Sequence, residues 1–217
     1  MPTTRCSLGL LTLVALLAVA CATPEVRPSL SEERIRTLEA FGPLLSAAYG
    51  AEAVRCHVVT GVLEADRFDA WIRADPGTAC HLTVVVTTRA VDTLTPRALQ
   101  MLLAHELGHV QSRHAMGRAR VSEIQGSRTD TGHRTRLQTG RQQFNPDEES
   151  DADAAAARAL TRAWRGGNAG CLALADFYEG IATDRRPWAE WLSRHPFPER
   201  RIDAVVKVCE EEQRRAR

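Results

Sequence analysis

Long apolar runs are almost absent from this chain. The single exception is residues 8–20, interrupted only by Gly9 and Thr12. A bilayer-spanning helix needs about 20 apolar residues, so this run is too short to cross, and no other segment approaches that length. Net charge is nearly absent too, with 28 Lys+Arg against 27 Asp+Glu. That balance removes the electrostatic reason to expect nucleic acid or an acidic polymer as partner. Aromatic residues make up only 5% of the chain. No internal repeat is visible, and no separate wall-binding module. What remains is a globular chain of 217 residues, rich in Ala and Arg. It is long enough for one domain with its own core.

The N-terminal segment has a different character. Residues 1–5 carry a small positive end, and the apolar run that follows has the length of a signal-peptide core. Ala18-Val19-Ala20 closes it with the small residues a cleavage site requires, so residues 1–20 are expected to be a signal peptide. Cys21 comes next, in a pattern that resembles the lipobox of bacterial lipoproteins, although Ala18 stands where Leu is usual. The expectation is an exported chain in the periplasm, held at the outer membrane by a lipid on Cys21 and touching membrane through that anchor only. The alternative is ordinary cleavage after Ala20 and release in soluble form.

Export changes how the cysteines read. Cys6 leaves with the signal peptide. Cys56, Cys80, Cys171 and Cys209 remain, an even number in a compartment that permits disulfides. Cys56 with Cys80 and Cys171 with Cys209 is the favoured pairing of the three possible, because each pair lies within one half of the chain. Four buried thiols are the alternative. No two of these cysteines have the Cys-x-x-Cys spacing of a thiolate zinc site.

Residues 21–30, with Pro24 and Pro28, read as a tether, and residues 31–217 as one domain. Ser31 caps a helix that runs to Tyr49 and stops at Gly50. Residues 54–60 are a strand candidate, residues 66–72 are ambiguous, and residues 81–88 are the best strand, with Val84-Val85-Val86 at its centre. Thr95 and Pro96 open a helix that is apolar on more than one side and therefore belongs in the core. Residues 117–144 are polar and read as a surface loop or lid. Asn145 and Pro146 open another helix with an acidic first turn, ending before Gly166-Gly167. Further helices are expected over residues 169–180 and 198–211. The fold class is α+β, mostly helical with a small sheet.

The strongest signal is His105-Glu106-Leu107-Gly108-His109. Residues four apart on a helix share a face, so two imidazoles can grip one ion. Glu106 projects beside them, close enough to reach a water on that ion without being a ligand. Zinc suits such a donor set, one ion per chain, with a position left open for water. A third ligand on the same segment would need Gly at position 112 and His at position 115, where Ser112 and Ala115 stand. His114 is rotated off the metal face and reads as a helix-end residue. A Glu from a second helix is the other option, and Glu149 supplies it. Asp153, four residues on, shares its face and can accept a hydrogen bond from the far nitrogen of a ligand His.

Several segments together resemble one family. Val85-Val86-Thr87-Thr88 and Leu102 to Val110 look like the strand and active-site helix of the zinc metallopeptidases that include the heat-shock protease HtpX and the CAAX prenyl proteases. Glu149-x-x-Ala152-Asp153 matches that family's second zinc motif, and His195-Pro196 with Arg201-Ile202 matches a third. Asp69-Ala70-Trp71 stands where the family often has Asn-Ala-Phe. The likeness covers residues 52–208 and points to the short, soluble, exported branch that includes BepA and LoiP. It implies a zincin-like domain of the gluzincin type, an endopeptidase for misfolded or misassembled proteins of the envelope, with protein or peptide substrates. It also implies that His195 and Arg201 lie near the site. His195 would either stabilise the oxyanion or occupy zinc's open position and hold the enzyme latent. A capping role before the last helix is its plainer reading. Arg201 could equally pair with an acid such as Asp153. A holdase or assembly factor that keeps the zinc site is the rival function, and a zinc hydrolase acting on a cell-wall amide is a third.

Overall fold

The computed structural model describes residues 30–49, 57–74, 81–112, 144–164, 168–196 and 198–215. The expected leader, tether and lipid site at Cys21, together with Cys56, Cys80, His114 and the polar segment after the core helix, lie outside these residues.

Helix α1 (Leu30–Tyr49) buries Glu33, Thr37, Ala40, Phe41, Leu44 and Ala48, a three-to-four spacing that lays one face on the core. Three strands follow: β1 (His57–Leu63), β2 (Ala70–Ala74) and β3 (His81–Thr87). They form one sheet in the order β1-β3-β2, with β3 parallel to β1 and antiparallel to β2. The central strand is the one whose residues are buried from Leu82 onward, which explains why its β-branched run reads most clearly in the sequence. The first strand continues to Leu63, three residues beyond its pattern. The ambiguous segment resolves into a bend at Asp66 and Arg67 followed by β2.

At Thr87 the chain turns directly into α2 (Thr88–Thr93), a short helix capped by the Thr87 hydroxyl, which accepts from the Ala90 amide. No apolar periodicity announces so short an element. Helix α3 (Pro96–Gln111) then starts where Thr95 and Pro96 place it, with the Thr95 hydroxyl accepting from the Ala98 amide. Every residue from Met101 to Val110 is buried. Helix α4 (Pro146–Ala163) opens on a full capping box between Asn145 and Glu148 and packs along α3.

Helix α5 (Ala169–Thr183) is followed by a 3-10 turn (Arg186–Trp188), the single-turn α6 (Ala189–Leu192), a tight turn through His195, and α7 (Pro198–Arg215). The Cys171–Cys209 disulfide ties α5 to α7. Among the described residues, no helix is long and apolar enough to cross a membrane. The architecture is α+β and mostly helical, with α1, α4 and the sheet packed against α3 at its centre.

Candidate metal centre

Three elements converge on one point. Helix α3 presents His105 and His109 side by side, with their Nε2 atoms 3.0 Å apart. Helix α4 brings Glu149, whose Oε1 lies 3.5 Å from His109 Nε2 and whose Oε2 lies 3.6 Å from His105 Nε2. The turn after α6 brings His195, whose Nδ1 lies 3.0 Å from His105 Nε2 and 3.1 Å from Glu149 Oε1. One donor atom from each of these four buried residues falls within 4.8 Å of all the others.

This donor set fits a cation. Asp153 Oδ1 lies 2.9 Å from His105 Nδ1. The proton of His105 therefore belongs on Nδ1, and Nε2 presents a bare lone pair to the other donors. Nitrogen lone pairs and a carboxylate facing one another in a buried space repel unless a positive ion lies between them. Glu149 Oε2 and His195 Nε2 are also buried without a hydrogen-bond partner. A tetrahedron with arms of about 2.1 Å has edges of about 3.4 Å, the range these separations occupy.

Behind the donors lies a second layer. Arg201 on α7 donates to both oxygens of Asp153, from Nε at 2.7 Å and Nη2 at 2.8 Å. Its Nη1 stands 2.8 Å from Glu149 Oε2, a charge pairing rather than a hydrogen bond. The Tyr178 hydroxyl on α5 donates to Asp153 and receives Arg201. Arg201 also approaches His105 Nδ1 at 2.8 Å, but that nitrogen carries the proton directed at Asp153 and has no lone pair to offer. Arg201 thus braces the two carboxylates rather than facing the point where the donors meet.

Glu106 stands on the other side. Its Oε1 accepts the Trp191 indole N–H at 3.1 Å and lies 3.4 Å from His195 Nε2. Its Oε2 is buried with no partner. Trp191 in turn lies nearly parallel to the His195 ring, with centroids 4.7 Å apart.

Burial dominates the electrostatics. It pushes His105 and His109 down to about 4 and His195 down to about 3, so all three imidazoles are neutral, as metal ligands must be. Arg201 adds to the depression at His105. Burial pushes the Glu106 carboxyl up to about 8, partly offset by the Trp191 hydrogen bond. Burial also works against the charges on Glu149 and Asp153, but Arg201 together with the facing histidines outweighs it and holds both well below the usual carboxylate range.

His105, Glu106, His109, Glu149, Asp153, His195 and Arg201 therefore lie in one buried cluster. Cys171 and Cys209 are bonded to each other. Three participants carry no sequence signal of their own. Tyr178 sits inside an ordinary apolar helix. Phe144 stacks on His109 with ring centroids 3.7 Å apart. Trp191 lies one helical turn before His195, three residues after Trp188.

The family model described as Peptidase family M48 matches residues 32–129. The matched stretch holds α1, the sheet, α2 and α3 with His105, Glu106 and His109, and it ends before Glu149 and His195. No curated protein matches the chain.

Proposed function

From the match of residues 32–129 to the model of Peptidase family M48, we propose that the chain belongs to that family and is a zinc-dependent endopeptidase of the cell envelope acting on misfolded or misassembled proteins. His105, His109 and Glu149 hold the ion and Glu106 is the base. The observation that carries this reading is the buried four-donor cluster with a carboxylate beside it that is not one of the four. A structural metal site has no use for Glu106.

Bound zinc would lower the pKa of a coordinated water and polarise the scissile carbonyl. The chain's own residues do the rest. The free Oε2 of Glu106 takes the water proton and returns it to the leaving amine. Trp191 holds the other carboxylate oxygen in place. Asp153 fixes the tautomer and ring plane of His105, and Arg201 keeps Asp153 and Glu149 charged in a dry environment.

His195 has two candidate roles, and its position favours one. Its Nδ1 lies among the donors. Four protein donors complete a tetrahedral shell, whereas a catalytic zinc keeps one position open. The described arrangement is then the latent form, and catalysis requires His195 to move away. A non-proteolytic chaperone or assembly factor that keeps the zinc site is the competing reading, favoured by the same closed shell.

The envelope assignment rests on the leader-like segment and on the Cys171–Cys209 disulfide, which suits an oxidising compartment. Anchoring through a lipid on Cys21 is part of the same proposal, with release in soluble form as its alternative.

The test is zinc content together with casein cleavage for wild type, Glu106→Gln and His195→Ala. One zinc in each, cleavage raised in His195→Ala and abolished in Glu106→Gln, supports a latent peptidase. Zinc in all three with no cleavage even by His195→Ala favours the assembly factor. No zinc in any of them removes the central claim.

A further inference from the structure

The residue before His195 is held from the opposite side of the site. Arg194 extends to β2, where its Nη2 donates to the Ala70 carbonyl at 3.2 Å and its guanidinium is ion-paired with Asp69. Both partners are largely out of solvent, with side-chain exposures of 12% for Arg194 and 3% for Asp69. Arg194 also lies over the Trp71 ring at 5.4 Å. Its own carbonyl accepts the Phe144 amide at 3.0 Å.

The Asp69 end of this contact is fixed. The Asp69 amide donates to the Thr87 hydroxyl, and the Asp69 carbonyl receives both the Thr87 amide and the Thr87 hydroxyl. Asp69 is thus fastened to the junction of β3 and α2. The Arg194 end is on a short turn with few backbone ties of its own, the amides of Ser193, Arg194 and His195 reaching only to Ala189 and Trp191.

The Ala70 carbonyl is also specially placed. Since the Asp69 carbonyl points to β3, alternation turns the next carbonyl to the other side of β2. Strand β2 is an edge of the sheet, so that side has no strand partner among the described residues. Arg194 therefore occupies an acceptor on the free edge of the sheet while its neighbour occupies the metal position.

We infer that Asp69 and Arg194 form a catch that keeps His195 among the metal donors, with Arg194 as a positioning residue for His195. This rests on the latent-peptidase reading above and names what holds the latent form closed. A second cation makes the catch releasable. Arg67, about half exposed, stands 3.9 Å from Asp69 Oδ2 and also pairs with Glu190 at 3.7 Å. When Arg194 leaves, Arg67 can keep the Asp69 carboxylate compensated, so opening does not strand a buried charge. An extended backbone that takes the Ala70 carbonyl competes directly with Arg194 for it and loosens the catch from the strand side.

The experiment uses the full chain and the variants Asp69→Asn, Arg194→Gln, Arg194→Lys and His195→Ala, with two readouts. The first is hydrogen exchange by mass spectrometry in the metal-free protein under chelator. Release of the catch raises exchange across residues 193–196 by about tenfold or more in Asp69→Asn and Arg194→Gln. Exchange in residues 99–110 stays at the wild-type level, which a general loss of folding would not allow. Arg194→Lys, which keeps the cation, returns the turn towards wild type. The second is casein cleavage by the zinc-loaded protein. Asp69→Asn and Arg194→Gln are several-fold faster than wild type, and Arg194→Gln adds nothing to His195→Ala, because both remove the same restraint. The inference is overturned if exchange across residues 193–196 is unchanged in Asp69→Asn and Arg194→Gln. It is equally overturned if His195→Ala activates while those two variants do not, an outcome that leaves the peptidase reading standing. If His195→Ala binds zinc and still cleaves nothing, the peptidase reading fails, and the exchange measurement alone decides whether the catch exists.

Discussion

A Cβ placed on Gly108 of α3 would stand 2.1 Å from the carbonyl oxygen of Ala152 in α4. The two helices touch backbone to backbone at this point, between the two metal histidines. That contact brings Glu149, one turn before Asp153, up to His105 and His109. The small residues Ala152, Ala156 and Ala157 continue the close seam along α4.

Gly108→Ala should therefore be destabilising, although Ala is ordinarily the better helix residue by about 1 kcal/mol. The obstacle is backbone, which has no rotamer to change. Overpacking of this kind costs about 3 kcal/mol or more, and the helices must separate to relieve it. Thermal denaturation should show the loss. Zinc content should fall together with it, because Glu149 moves away from the histidines. A variant with wild-type stability and full zinc would contradict this account of the seam.

Arg201→Leu removes the only described cation that pairs with both Glu149 and Asp153. It leaves two buried carboxylates without compensation, at a cost of about 3–5 kcal/mol. Arg201→Lys should recover only part of this, since an ammonium cannot reproduce the fork on Asp153. Urea denaturation of the metal-free chain measures both. If Arg201→Leu is neutral, the network is not what holds α7 on α4.

The metal-free chain should have a stability maximum near pH 6.5. The three histidines have folded pKa values of about 3 to 4, below the ordinary 6.5, so the unfolded chain binds more protons as pH falls below 6.5, and their stabilisation is lost towards pH 4. Glu106 has the opposite sign. Its pKa is raised from 4.5 to about 8, so its stabilisation is complete at low pH and is lost as pH rises through 8. Between 4.5 and 6.5 three histidines outweigh one glutamate, and above 6.5 only the glutamate remains. Denaturant midpoints measured from pH 4 to 9 under chelator should trace this curve. Glu106→Gln should flatten its alkaline side.

Reduction of Cys171–Cys209, or replacement of both by Ala, should cost about 4 kcal/mol, given the 38-residue separation the bond closes. A shift in melting temperature of about 10 °C is expected for a domain of this size. The loss should appear first as fraying of α7, detected by exchange, because that helix carries Arg201 into the site. An unchanged melting temperature under reductant would show that packing of α5 and α7 suffices without the bond.

Much of this was legible in the residues themselves, wherever the signal is local. Thr95-Pro96 and Asn145-Pro146 announce their helices because capping and the fixed φ of proline act within one turn. His105, Glu106, His109, Glu149 and Asp153 announce themselves because helical spacing puts each pair on a known face. The end of β1, the ambiguous stretch before β2, and the short α2 and α6 were not legible. The two helices span only six and four residues, too few to repeat a helical period twice, and they exist only because the neighbouring chain presents a partner.

The sequence by itself determined the chemistry available: two imidazoles and a carboxylate base on one helix, and a paired Glu and Asp on another. Spacing along a helix is set by backbone hydrogen bonds that need nothing from the rest of the fold. Only the tertiary structure decided what that chemistry is arranged to do. It put His195 among the donors, Trp191 on the base, Arg201 behind the ligands and Arg194 on Asp69. Those contacts join residues separated by between 46 and 125 positions. No local rule specifies them, because each depends on how three helices and a strand edge close around the same buried space.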